Sequence, residues 1–212
     1  MIKILIADDH PVVREGLKQI LAGAADMTVG GEALNGQEVL EKVAGEEWDV
    51  LVLDIGMPGR DGLEVLKDIH RAQPDLPVLV LSMYPEEQVA IRALKAGAAG
   101  YMNKETAPKE LVNAIKKIYN GGKYVSAALA EQLASQLDSQ SHAHNTPHDA
   151  LSDREFQVFR LLASGKEVQE IADGLFISVK TVRTYRDRIH EKLNLKNDVE
   201  LARYAMQHGL AE

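Results

Sequence analysis

Three carboxylates, a hydroxyl and an ammonium stand at the ends of apolar runs along this chain. Asp8 and Asp9 close the run Ile2–Ala7, Asp54 closes Val50–Leu53, Ser82 closes Val78–Leu81, and Lys104 follows Ala99–Met102. Taken one at a time they have plainer readings: Asp8-Asp9 as a helix start, Asp54 or Ser82 as a cap, Lys104 as a surface residue. At the carboxyl ends of parallel strands, however, all of them would project from one rim. Carboxylates packed together repel unless a cation neutralises them. Oxygen-only ligation by a few protein groups suits Mg²⁺, which keeps several waters. Such a site handles phosphoryl groups. The metal and Lys104 would neutralise the equatorial oxygens and Ser82 would donate a hydrogen bond. With Asp8 and Asp9 placing the metal, Asp54 is left as an in-line nucleophile that forms an aspartyl phosphate.

Elements must exist to bring these groups together, and the hydrophobic pattern supplies them. Trp48-Asp49 leads into an uninterrupted apolar run that a Gly/Pro-rich turn, Gly56-Met57-Pro58-Gly59, closes behind Asp54; this reads as a strand buried on both faces of a parallel sheet. Ile2–Ala7 and Pro77–Ser82 read the same way, Met27–Ala33 is a weaker candidate, and Ala99–Met102 is a last short strand. Between them lie helical stripes: Val12, Val13, Leu17, Ile20 and Leu21 after His10-Pro11; Val39, Leu40 and Val43 after Asn35-Gly36; and Leu63, Val65, Leu66 and Ile69. Glu86–Ala96 and Leu111, Ile115 and Ile118 follow. Five βα units in a row predict a doubly wound, five-stranded parallel sheet of flavodoxin-like form over residues 1–122.

Residues 123–149 read as a linker, with a possible helix over 127–137 where Leu129, Leu133 and Leu137 recur every four residues. The stretch DSQSHAHNTPHD (138–149) is polar throughout apart from Ala143. Its His142, His144 and His148 raise a metal reading, but no Cys or carboxylate framework surrounds them, and a solvated linker is preferred. From 150 to 212 only helical patterns occur, four in number, the first opened by Ser152 with Glu155 three residues on, a capping-box pattern.

The 212 residues include no cysteine, which excludes disulfides and thiolate metal sites. No apolar run approaches the roughly 20 residues of a membrane helix, so a soluble cytoplasmic protein with no membrane partner is expected. The net charge of −8 is unevenly spread: residues 1–149 hold 14 Lys/Arg against 22 Asp/Glu, whereas 150–212 hold 10 of each. An acidic average therefore leaves room for a basic face in the second part.

The segments IADDHPVVREGL, VLDIGMPGRDGLEVL, VLVLSMYPEE and AAGYMNKE resemble the receiver domain of bacterial two-component response regulators, nearly continuously over residues 2–120. The resemblance implies that Asp54 accepts a phosphoryl group from the phosphohistidine of a sensor histidine kinase. It implies that Asp9, Asp54 and the Gly56 carbonyl ligate Mg²⁺ (or Mn²⁺), with Asp8 acting through water. It makes Ser82 and Tyr101 a switch pair, the hydroxyl moving toward the phosphoryl group and the aromatic turning inward. Ser82 stands where Thr is common, and Glu105 follows Lys104 where many receivers have Pro, so no cis peptide is assumed there. Tyr84, two residues past Ser82, is a candidate shield for the acyl phosphate.

In the last segment, Lys180, Arg183, Arg186, Arg188 and Lys192 share one predicted helix with Asp187 and Glu191, and Lys196 lies just beyond. Periodicity leaves a DNA-binding helix and a solvated face with an Arg183–Asp187 pair both open. The sequence LSDREFQVFRLLASGKEVQEIADGLFISVKTVRTYRDRIHEKLNLKN is similar to the LuxR-type DNA-binding domain of the NarL/FixJ class. This implies a four-helix domain whose third helix enters the major groove and whose last helix serves dimerisation. The positions matching its exposed contacts are Lys180, Thr181, Arg183, Thr184, Asp187 and Arg188. Arg183 and Thr184 are the base-edge candidates; Lys180, Arg186, Arg188, Lys192 and Lys196 are assigned to phosphates. Glu167-Val168, Tyr185 and Asp187 depart from the usual pattern.

Together these features predict a phosphorylation-dependent transcription regulator that is not an enzyme beyond its own phosphorylation and dephosphorylation. Its partners would be a sensor kinase, promoter DNA with two half-sites and, on activation, a second copy of itself. Unphosphorylated, the receiver is expected to cover the recognition surface. The alternatives are a receiver with a protein-binding output, and an aspartyl-phosphate phosphohydrolase. The latter lacks the second carboxylate it would want just after Asp54, where Ile55-Gly56 stand.

Overall fold

The computed structural model describes residues 1–83, 86–131 and 146–210, which group into two compact units, Met1–Ser135 and Gln136–Glu212. The first unit is a five-stranded, all-parallel sheet: β1 (Ile2–Ala7), β2 (Met27–Ala33), β3 (Val50–Asp54), β4 (Val78–Ser82) and β5 (Gly100–Asn103). Five helices lie between and after these strands: α1 (Pro11–Ala22), α2 (Gly36–Gly45), α3 (Gly62–Ala72), α4 (Glu86–Lys95) and α5 (Ala107–Tyr119). The strand order is β2-β1-β3-β4-β5. The order reverses between β1 and β3, and that switch point is where an open α/β sheet leaves a crevice beyond its carboxyl ends.

The central strands form where the side chains leave no solvated face: all five residues of β3 and all five of β4 are buried. Register then fixes the rim. Ala7 pairs with Leu53 and Asp54 with Leu81, so the residue after β1, Asp8, and the last residue of β3, Asp54, emerge side by side. At the edge, β2 has an indistinct pattern for a local reason. A Cβ on Gly31 would stand 2.6 Å from the Trp48 ring, which occupies the space beside the strand. Lys3 Nζ lies 4.3 Å from the centroid of the same ring, and the β1–β2 register shifts between Ile4 and Leu5.

The chain past α5 does not leave the sheet at once. Tyr101 N–H donates to the Tyr124 carbonyl and Tyr124 N–H to the Ala99 carbonyl, each at 3.0 Å, so residues read as the start of a linker run on beside β5. Residues 127–131 are helical, with Leu129 buried; the remainder of the possible helix over 127–137 lies outside the described residues, as do His142 and His144.

The second unit is helical. A 3₁₀ turn (Pro147–Ala150) precedes α6 (Asp153–Ala163), α7 (Val168–Gly174), α8 (Val179–Leu193) and α9 (Asp198–Gln207). Phe156, Phe159, Leu162, Ile171, Val182, Ile189 and Leu201 are buried in its interior. The predicted capping box forms: the Ser152 hydroxyl accepts from Glu155 N–H and Glu155 Oε2 from Ser152 N–H. Ser178 caps α8 by accepting from Thr181 N–H at 3.0 Å. The turn between α7 and α8 places exposed Phe176 at a φ of 52°. Among the described residues no helix is long and apolar enough to cross a membrane.

Candidate functional site

Asp8, at the β1 rim, is 1% exposed; its carbonyl accepts from Arg14 Nη1 at 2.8 Å and its Oδ1 from the His10 N–H at 2.8 Å. Asp54 is 3% exposed, with Oδ1 accepting from Gly56 N–H at 2.7 Å and Oδ2 from Lys104 Nζ at 2.6 Å. Lys104 Nζ also lies 2.7 Å from Asp8 Oδ2. The lysine comes from the end of β5, tied to β4 by a 2.8 Å bond from its N–H to the Ser82 carbonyl. Asp8, Asp9, Asp54 and Lys104 thus lie together at the rim, Ser82 ends the neighbouring strand, and Ser82 and Tyr101 are both fully buried. Tyr84 lies outside the described residues. A Cβ on Gly56 would stand 3.2 Å from Asp54 Oδ1, so a glycine there keeps the approach to the carboxylate open.

Electrostatics follow from this crowding. Burial pushes the Asp54 carboxyl above the ordinary aspartate range, and the Lys104 ammonium pulls it partly back. Burial alone would lower Lys104, but Asp54 and Asp8 outweigh it and hold the ammonium above the usual lysine value. Among the described residues, one ammonium stands against three carboxylates, which leaves the site short of positive charge. Asp9 Oδ1 is a buried oxygen without a hydrogen-bond donor, and Asp8 Oδ2 shares the Lys104 ammonium with Asp54. Donor atoms of Asp8, Asp9, His10 and Asp54 all lie within 4.8 Å of one another. Such an arrangement fits a divalent cation. Sequence reasoning passed over Arg14, which holds the β1 rim by its bond to the Asp8 carbonyl while its Nε donates to Glu32 at 2.8 Å. Its only signal was a basic residue on the α1 turn that follows the acidic pair.

In the second unit, Lys180, Arg183, Thr184, Asp187, Arg188 and Lys196 are exposed. Arg183 and Arg188 make no ion pair with the described residues, so the solvated Arg183–Asp187 pair is not formed. The Thr181 hydroxyl is 2.7 Å from the Ser178 hydroxyl, and the Thr184 hydroxyl donates to the Lys180 carbonyl at 3.0 Å. Two residues assigned to phosphates also have partners inside the unit. Arg186 Nε donates to Asp198 Oδ1 at 2.9 Å, beside His190 Nε2 at 3.1 Å from the same oxygen. Lys192 Nζ donates to the buried Glu155 carboxylate at 2.6 Å and to the Ala150 carbonyl at 3.1 Å.

Burial would raise Glu155, but Lys192 and Ser152 more than offset it and hold its carboxyl below the ordinary range. That stabilisation is fully present above the unfolded pKa of about 4.3 and is lost as the pH falls through the depressed value. Lys192 is 38% exposed, so solvent screens the pair, and Lys192→Met should cost the helical unit about 2 kcal/mol at neutral pH, below the value for a fully buried pair; denaturant unfolding measures it, with the gap to wild type closing as the medium is acidified. The salt dependence of DNA binding should be unchanged. A salt slope reduced by one, without loss of stability, would make Lys192 a phosphate contact after all.

Residues 4–116 match the family described as "Response regulator receiver domain", and residues 149–205 the family described as "Bacterial regulatory proteins, luxR family". The chain is 42% identical over 212 residues to the response regulator GacA of Pseudomonas aeruginosa, covering 100% of this chain and 99% of that protein. It is 38% identical over 211 residues to the response regulator UvrY of Escherichia coli K12, covering 99% and 96%. A solved structure of RcsB from Salmonella enterica serovar Typhimurium, bound to promoter rprA in the presence of the phosphomimetic BeF₃⁻, is similar at a TM-score of 0.68 and 29% identity, covering 96% of this chain and 98% of that one.

Proposed function

The chain belongs to the response regulators that join a receiver domain to a LuxR-type DNA-binding domain, and from that premise we propose a phosphorylation-dependent regulator of transcription in which Asp54 is the phosphoacceptor. The observation that carries this reading is the placement of Asp54 at the sheet's switch point, buried beside Asp8 and held by Gly56 N–H and Lys104 Nζ. An Asp54 carboxylate oxygen attacks the phosphorus of a kinase phosphohistidine; the O–P bond forms, the N–P bond breaks, and the imidazole leaves. Asp9, Asp54 and the Gly56 carbonyl would hold Mg²⁺, with Asp8 acting through water, and the ion would supply charge neutralisation. Lys104 would ion-pair with the transferred group, and Ser82, on the neighbouring strand, would donate to it. The added dianionic charge is a local electrostatic event, and buried Tyr101, one strand further, is the residue through which it is read.

The output reading rests on α8, whose exposed Lys180, Arg183, Thr184 and Arg188 project from the first turns after the Ser178 cap. RcsB is bound to promoter DNA in its solved structure, and we carry that partner over to this chain, which would then work in the cytoplasm. On α9, Val199 and Met206 are exposed one heptad apart, an apolar edge suited to a second copy on two half-sites. Arg186 and Lys192 leave the contact set; Lys196 stays as a phosphate contact. A salt titration against random duplex DNA should give a steep log–log slope, whereas a flat one would favour a protein-binding output. Lys180→Ala should lower that slope by about one unit, uniformly across sequences. Arg183→Ala should cost about 1–3 kcal/mol on the selected operator and relax preference at one base pair.

A further inference from the structure

His10 is the one member of the acidic cluster's donor group that is not a carboxylate. It precedes α1 in an extended conformation, and its side chain makes no capping bond to the helix. Its own N–H bonds to Asp8 Oδ1, which folds the imidazole back over the rim. Nδ1 then lies 3.0 Å from Asp9 Oδ1 and 3.2 Å from Asp8 Oδ1, while most of the ring faces solvent. The donors of Asp8, Asp9, His10 and Asp54 fall within 4.8 Å of one another. Opposite ligands around one ion, at bonds of about 2.0–2.3 Å, are separated by about 4.0–4.6 Å, so the four atoms have nearly the dimensions of a single coordination shell. Asp9 Oδ1 is buried without a hydrogen-bond donor, and Asp8 Oδ2 is met by the Lys104 ammonium that Asp54 shares, so the described residues leave the cluster with more negative charge than they neutralise.

We infer that His10 Nδ1 is a nitrogen ligand for a first-row transition ion at this cluster, and that it biases the site from Mg²⁺ toward such ions. Imidazole is a poor ligand for Mg²⁺, which prefers oxygen and retains its waters, but a good one along the series from Mn²⁺ to Zn²⁺. His10 therefore adds affinity for one class of ion and none for the other. The inference rests on reading the cluster as a divalent-cation site.

The test is titration of the full chain with Mn²⁺ and with Mg²⁺, for wild type, His10→Ala and His10→Asn, by calorimetry, together with pulsed electron paramagnetic resonance of bound Mn²⁺. The preference for Mn²⁺ over Mg²⁺ should fall on the order of tenfold in both variants, mostly through weaker Mn²⁺ binding. A directly coordinated ¹⁴N coupling should be present in wild type and absent in both. An unchanged Mn²⁺/Mg²⁺ ratio with no ¹⁴N coupling in wild type overturns the role of His10 and leaves the cation site standing. Failure of wild type to bind either ion overturns the cation site itself.

Discussion

Asp54→Asn should bind DNA at the basal level of wild type and show no rise in affinity when incubated with Mg²⁺ and phosphoramidate, acetyl phosphate or a phosphorylated kinase. A carboxamide has no anionic oxygen to attack phosphorus, so the loss of phosphoryl transfer is complete, not partial. The substitution is otherwise mild. Its remaining oxygen can keep the Gly56 N–H bond that Asp54 Oδ1 makes, and Lys104 Nζ retains Asp8 Oδ2 at 2.7 Å. What changes is one negative charge in a crowded rim, and removing it lessens repulsion with Asp8. Stability should accordingly hold or rise, so a loss of response cannot be ascribed to unfolding. Radiolabel incorporation and fluorescence anisotropy on a promoter duplex, run together with thermal unfolding, check all three points. Phosphate-stimulated binding that survives in Asp54→Asn would move the phosphoacceptor elsewhere.

The rim was legible in the sequence because its cause is local. A strand buried on both faces must be written as a near-continuous apolar run, so the first charged residue after it, Asp54 or Asp8, marks the strand end without ambiguity. β2 was faint because its packing partner is remote: Gly30 and Gly31 leave space that Trp48 fills, a relation no periodicity encodes. The Tyr124 pairing with β5 was hidden in the same way, behind two glycines that read as an ending. In α8 the residue types were legible and their partners were not. Arg183 and Arg186 differ in nothing that spacing reveals. Yet Arg186 meets Asp198, 12 residues on, and Lys192 meets Glu155, 37 residues back, because the α6, α8 and α9 packing brings those carboxylates to it. A charge type predicts a capacity; the long-range partner decides whether that capacity faces solvent.

Lys104→Met separates the two tasks proposed for this lysine. Its Nζ is nearly buried and lies 2.6 Å from Asp54 and 2.7 Å from Asp8, so it is the cation that makes two buried carboxylates tolerable together. Methionine fills similar space without charge, leaving both carboxylates unpaired in low dielectric; the receiver should lose about 3 kcal/mol at neutral pH. The sign of the pH effect is opposite to that at Glu155. Asp54 already stands above its ordinary value through burial, and removing Lys104 takes away its main opposing influence. A carboxyl whose folded pKa lies above its unfolded one binds its proton more tightly when folded, so the variant should gain stability as the pH falls from neutral toward the aspartate range. Mg²⁺ should restore stability by taking the place of the ammonium: at a hundredfold excess over its dissociation constant, binding to the folded state alone contributes about 2.7 kcal/mol. The signalling response should not return with it. The phosphoryl group would still lack its lysine partner, so DNA affinity should stay near the unphosphorylated level even where Asp54 carries phosphate. Unfolding curves at several pH values with and without Mg²⁺, paired with binding curves for the phosphorylated variant, read the two effects independently. A variant as stable as wild type without Mg²⁺ would mean that Lys104 does not stabilise the paired carboxylates, and recovery of DNA binding on phosphorylation would remove Lys104 from the switch.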